Sequence, residues 1–131
     1  MDVEVELSRI IINETSDQQV IVLKERNGMR GFPIVIGIVE IFAIDRRLKG
    51  ITPPRPMTHD LLASVIDSLG AKIERIVIDD LRNHTFFAKI HLSVNGRTVK
   101  VDSRPSDAIA LCAATDAPIY VADHVFDKTS Q

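Results

Sequence analysis

Polar and apolar residues alternate from the start of the chain. Val3, Val5 and Leu7 fall on one face and Glu4, Glu6 and Ser8 on the other, and the run then turns continuously apolar through Ile10, Ile11 and Ile12. A period of two predicts a strand, half-exposed where it begins and buried where it ends. Asn13 to Asp17 is turn chemistry. Gln18 to Arg26 predicts a second strand with its centre at Val20-Ile21-Val22-Leu23, paired with the first as a hairpin. Asn27-Gly28 marks the next turn. Phe32 to Ile36 then reads as a short strand that Gly37 ends. A helix is predicted over 38–48, with Gly50 as its C-terminal cap. Pro53, Pro54 and Pro56 exclude regular structure and make a stiff linker inside the domain, placed where a loop could stand open over a site.

Beyond the linker, Thr58 is a suitable N-cap, and Leu61, Leu62, Val65, Ile66 and Leu69 recur at helical spacing before Gly70. This is the clearest helix in the pattern. Lys72 to Leu81 returns to strand, and Asn83-His84 turns the chain. The stretch from Phe86 to Asp102 can be read in register. Asn95-Gly96 suits a two-residue type I′ turn, which pairs Leu92 with Val99 and Ile90 with Val101 on one face. Ser93 with Thr98, His91 with Lys100, and Lys89 with Asp102 then share the other. A second strong helix begins near Ser103 or Arg104, with Pro105 in its first turn, where a missing N–H costs nothing. Ala117 to Val121 reads as a short last strand, and the tail from Ala122 carries little pattern. The order predicts an α+β fold with mostly antiparallel sheet and three main helices.

The 131 residues suit a single domain, with its core over about 3–121. Cys112 is the only cysteine, so no intrachain disulfide can form, and its place on the apolar side of a helix makes it a core residue. No apolar run approaches the ~20 residues that span a bilayer. Asp2, Glu4 and Glu6 at the start are unlike a secretory signal. Both features lead to the expectation of a cytoplasmic protein without membrane contact. The formal net charge of −2 disfavours a protein that grips long nucleic acid by charge alone.

Two helix starts concentrate polar residues beyond what a core helix requires. At Ser103-Arg104-Pro105-Ser106-Asp107, the Asp107 carboxylate lies near the positive end of the helix dipole, and Arg104 is three residues earlier on the same side. The plain reading has Ser103 capping, Pro105 starting the helix and Asp107 pairing with Arg104. The functional reading turns Arg104 toward a phosphate and gives Asp107 a metal ion or water. At Thr58-His59-Asp60, the histidine can act as general base or metal ligand, or be a solvated surface residue beside a dipole-matched Asp60. Glu40 stands among Ile38, Val39, Ile41 and Phe42. A carboxylate there needs a partner, such as an arginine from elsewhere in the fold, or a function. Arg46, Arg47, Lys49 and Arg55 form the one basic concentration. His91 is expected to be exposed.

A faint repeat runs through the chain. Strand, Asn-Gly turn, strand and helix occur from Val20 to Leu48 and again from Ala88 to Thr115. Aligning the helices sets Glu40 on Asp107 and Ile44 on Leu111. An internal duplication of this kind would let the two carboxylates approach across a pseudo-twofold and share a metal.

The stretch Ser103 to Leu111 resembles the bifunctional nuclease family. Pro33-Ile34-Val35-Ile36-Gly37 followed by Glu40, the stretch Arg55 to Leu62, and Ala117 to Val121 resemble the family's other segments in the same order. The resemblance covers about 3–121. It implies an α+β domain that forms a homo-oligomer, with a dimer favoured, and a nuclease acting on RNA and on single-stranded or damaged DNA. Plant members, to which the activity belongs, carry a further C-terminal helical module. The motif positions carried over are Glu40, His59, Asp60, Ser103, Arg104 and Asp107. The expected catalytic set is Asp107, Glu40, His59 and Asp60, with Arg104, Ser103 and Arg55 on the substrate. Glu40 and Asp107 are expected to hold Mg²⁺ or Mn²⁺. The rival expectation is a non-catalytic module that binds an anion or a partner protein at the same helix N-termini.

Overall fold

The computed structural model describes residues 1–13 and 15–129. Seven strands form one sheet in the order β3-β2-β1-β7-β4-β5-β6. The strands are β1 (Asp2–Ile11), β2 (Gln18–Glu25), β3 (Gly31–Gly37), β4 (Lys72–Arg82), β5 (Thr85–Val94), β6 (Arg97–Ser103) and β7 (Ile119–Ala122). The helices are α1 (Ile38–Leu48), α2 (Thr58–Ser68), α3 (Pro105–Thr115) and α4 (Asp123–Thr129). The fold is therefore α+β with a mostly antiparallel sheet, as the pattern predicts. The one parallel pairing is β4 with β7.

The sheet is built from two antiparallel meanders, β1-β2-β3 and β4-β5-β6, set back to back with β7 between β1 and β4. Each meander leads into a helix, α1 after β3 and α3 after β6. The strand-turn-strand-helix recurrence in the sequence is thus a structural recurrence, and it begins one strand earlier than the sequence suggests. Ile44 and Leu111, which the recurrence superposes, are both fully buried. α1 and α3 pack together, and α2 packs on α3.

The β5–β6 register is the predicted one at every pair from Lys89 with Asp102 to Ser93 with Thr98. Asn95 and Gly96 take the positive φ that a type I′ turn requires, 51° and 79°. Phe32 of β3 and Phe86 of β5 stack with ring centroids 5.4 Å apart, although four strands separate their own in the sheet. The sheet therefore curls into an open barrel, and Phe126 of α4 meets Phe32 edge-on at 5.4 Å. Val125 and Phe126 are buried in the same core as Ile21, Ile34, Ile76 and Ile109.

Several expectations are corrected. The end of β1 is not buried: Ile11 is 45% exposed, because β1 is bulged between Leu7 and Arg9 and its alternation shifts there. Met57, not Thr58, is the N-cap of α2, and Asp60 reaches back to the Met57 N–H at 3.0 Å. Arg104, not Ser103, is the N-cap of α3, with Pro105 first in the helix. Ser103 ends β6 and its hydroxyl donates to the Arg104 carbonyl. His91 is half-buried, not exposed, and burial followed by the nearby Lys100 charge lowers its pKa. The tail from Ala122 is mostly helix, with only 130–131 outside the described residues. Gln19, read only as part of a strand, is fully buried. Its amide donates to the carbonyls of Asn13 and Ser16, which ties down the β1–β2 turn.

Candidate functional site

The two polar helix starts meet a third, that of α1. Glu40 is the third residue of α1 and Asp107 the third residue of α3. Each carboxylate therefore sits in a first turn, at the positive end of a helix dipole. Arg104, at the N-cap of α3, bridges them. Its Nη2 donates to Glu40 Oε1 at 2.8 Å, and its Nε donates to Asp107 Oδ2 at 3.0 Å. These two carboxylates hold the Arg104 pKa above its ordinary value, Asp107 contributing more. The Arg104 side chain is 69% exposed while the Glu40 side chain is 13% exposed, so the arginine faces water and the carboxylate lies beneath it.

His59 completes the group from α2. Its Nε2 lies 3.0 Å from Asp107 Oδ1. Asp107, paired with Arg104, only accepts, so Nε2 carries the proton and Nδ1 holds the lone pair of the neutral ring. His59 is the one buried residue of α2, 9% exposed. The continuous relay is Glu40, Arg104, Asp107, His59, drawn from three helices.

Gly37 makes room for this relay. A Cβ there would stand 2.6 Å from Glu40 Oε2. Its φ of −76° suits any residue, so close approach and not backbone freedom is what calls for glycine.

Other expected site residues lie elsewhere. Asp60 does not join the relay: its Oδ1 accepts from Arg47 and its Oδ2 from the Met57 N–H. Arg47, then burial in the opposing sense, then the Met57 bond set its pKa, and the net shift is downward. A cavity of about 10 Å³ separates this pair from His59 and is bordered by Arg46, Met57 and Ala110, room for about one water molecule. Arg55 is exposed on the linker and outside the relay, and Ser103 shapes the turn into α3. Cys112 is buried, and burial pushes its thiol up to about 12, which suits a core residue and not a nucleophile. Sequence reasoning paired Arg104 with Asp107 and asked for an arginine beside Glu40, but did not anticipate that one arginine serves both. His84, read in the sequence only as a turn residue, borders the cleft beside Arg104. The signal available was the Asn83-His84 turn itself.

Residues 21–131 match the bifunctional nuclease domain. The chain belongs to that family. The uncharacterized protein Rv1829 of Mycobacterium tuberculosis is 39% identical over 122 residues, covering 93% of this chain and 73% of that protein. Bifunctional nuclease 1 of Oryza sativa subsp. indica is 23% identical over 114 residues, covering 84% of this chain but 34% of the rice protein. Bifunctional nuclease 2 of Oryza sativa subsp. japonica is 25% identical over 114 residues, covering 35% of that protein. This bifunctional nuclease domain therefore corresponds to about a third of the rice proteins. No helix among the described residues is long and apolar enough to cross a membrane.

Proposed function

We propose that the chain is a phosphodiesterase that cleaves RNA and single-stranded DNA at the Glu40–Arg104–Asp107–His59 relay. The observation that carries the reading is the 3.0 Å contact between His59 Nε2 and Asp107 Oδ1 beside an exposed arginine. Asp107 orients the imidazole through Nε2, which leaves Nδ1 to take a proton from water or return one to the leaving oxygen. Arg104 turns its outer N–H groups to the phosphate and offsets charge that builds on it. Glu40 holds Arg104 in place from below. Asp60 acts one step further out, by fixing the start of the helix that carries His59.

The expected Mg²⁺ or Mn²⁺ is compatible with the donor set. Two hard carboxylates and one guanidinium leave one negative charge over, and a divalent cation could offset it. Arg104 already bridges the carboxylates, and among the described residues no group of three or more His, Cys, Asp or Glu could hold a metal. The fit is therefore to an ion held by Glu40, Asp107 and the substrate's own phosphate oxygens. Such an ion would supply Lewis-acid stabilisation of the phosphate.

Degradation of a labelled single-stranded RNA tests the reading, with Mn²⁺ and with EDTA. His59→Gln, Asp107→Asn and Arg104→Lys should each lower the rate by about 10²–10⁴-fold while leaving the fold intact. Unchanged degradation by all three variants would reject it. The pairing of Arg104 with two carboxylates favours a second reading, an anion- or protein-binding module without chemistry. RNA binding without cleavage in the wild type would select that one.

We further propose a homo-oligomer formed through α2. Leu61, Leu62, Val65 and Leu69, four of the five apolar residues that define this helix in the sequence, are between 41% and 78% exposed, while Ile66 packs against the core. An uncharged face of that kind is typical of an interface between like subunits.

A further inference from the structure

A cleft of about 500 Å³ opens beside Arg104, within the range of small-molecule sites. Outer strand β3, the β4–β5 turn and the first turn of α3 bound it. Five consecutive residues, Pro33 to Gly37, line one side. β3 is the last strand of the sheet, so this side presents peptide groups that have no strand partner. The opposite wall carries two flat rings, His84 and Phe86. Phe86 is backed on one face by Phe32, 5.4 Å away and nearly parallel. His84 sits at φ 63°, in the left-handed region that favours glycine, so the turn presents an imidazole where glycine would serve the backbone better. Arg104, bonded to the Glu40 carboxylate that abuts Gly37, stands at that end of β3, and Gln18, the strand partner of Gly37, lines the same end.

We infer that this cleft is a nucleobase subsite, which takes one base of the single strand whose neighbouring phosphate Arg104 holds. The inference rests on the phosphodiesterase reading and adds to it. Each wall matches one part of a nucleotide. Rings stack on the face of a base and do so for any base. Free strand-edge peptides and the Gln18 amide meet the hydrogen-bonding edge of a base that is not paired. The guanidinium meets the phosphate. A free inorganic anion would use only the last of these, and a paired base could not offer its edge. The cleft therefore selects single strands without any groove-reading helix.

Fluorescence anisotropy with a labelled DNA 10-mer and a 10-mer of abasic sites separates the two contributions. Mg²⁺ is present throughout, and strand integrity is checked on a gel. The wild type should bind the base-containing strand about tenfold or more tighter than the abasic one. His84→Gly keeps the left-handed turn and should bring the two affinities closer by several-fold with an unchanged Tm, whereas Arg104→Lys should weaken both strands alike. Equal binding of the two strands by the wild type, or a ratio unmoved by His84→Gly, would overturn the subsite alone. Binding of neither strand would overturn the phosphodiesterase reading and the subsite with it.

Discussion

Arg104 shows how one side chain can settle the electrostatics of a whole site. Removing its guanidinium would leave the carboxylates of Glu40 and Asp107 facing each other across it, one of them nearly buried. Lysine would keep the charge but not the fork that reaches both. Asp60 plays a different part, and its effect is separable. Its pKa lies below the ordinary carboxylate value because Arg47 stabilises the ionised form. A depressed carboxylate stabilises the fold above its unfolded pKa, and that contribution is lost as pH falls through the folded value. Asp60→Asn should therefore lower stability near neutrality by about 1 kcal/mol, through the lost cap and ion pair. It should also flatten the fall in Tm below about pH 4. Thermal melts of the two proteins between pH 3 and pH 7 measure both. The Arg104–Asp107 pair was legible at this scale because a spacing of three along one helix turn fixes it. The His59–Asp107 contact was not, since it joins residues 48 apart.

Individual elements obeyed local rules closely where both faces of a rule were present. The β5–β6 hairpin has alternation and a turn that agree, and its register followed from them. α2 is the clearest helix in the sequence pattern, yet period alone says that a helix has an apolar face and not what that face meets. Its buried residue is His59, and its leucines face outward. Replacing a leucine there with lysine, Leu61→Lys or Leu69→Lys, should shift an oligomer toward monomer with Tm at low concentration little changed. Sedimentation equilibrium gives the answer, and a monomeric wild type would remove the proposed interface. At the start of α1, Gly37→Ala tests the packing of the relay. The backbone accepts alanine, so only the Glu40 carboxylate must yield. Stability should change by less than about 1.5 kcal/mol, while RNA degradation falls at least several-fold as Arg104 loses its lower partner. An unchanged rate would show that Glu40 does not position Arg104.

Across the whole molecule, curling of the sheet brings the ends of the chain's two meanders together. Phe32, Phe86 and Phe126 close that curl, with the Arg30 guanidinium 4.3 Å over the Phe126 ring. Phe126 belongs to the segment with the weakest sequence pattern, because a seven-residue helix offers too few turns for a period to show. Phe126→Ala should cost about 3–5 kcal/mol, read from urea unfolding, and should open the cleft beside Arg104 as β3 and β5 lose their shared packing. A loss near that of a surface substitution would mean that α4 is not part of the core.

By itself the sequence determined the elements as far as β7, the β5–β6 register, the recurrence of strand, turn, strand and helix, and the pairing of Arg104 with Asp107. All of these depend on neighbours a few residues apart, whose relative positions the backbone geometry sets. The sequence also held the residues that carry the family resemblance. Tertiary structure alone decided that β7 lies between the meanders, that the sheet curls, and that Glu40, Arg104, Asp107 and His59 form one relay while Asp60 turns away to Arg47. Those outcomes rest on contacts between distant segments, and such contacts form only when the whole core is packed. Helix periodicity brought His59 and Asp60 to the same helix start. The packing of α2 on α3 chose which of them reached Asp107.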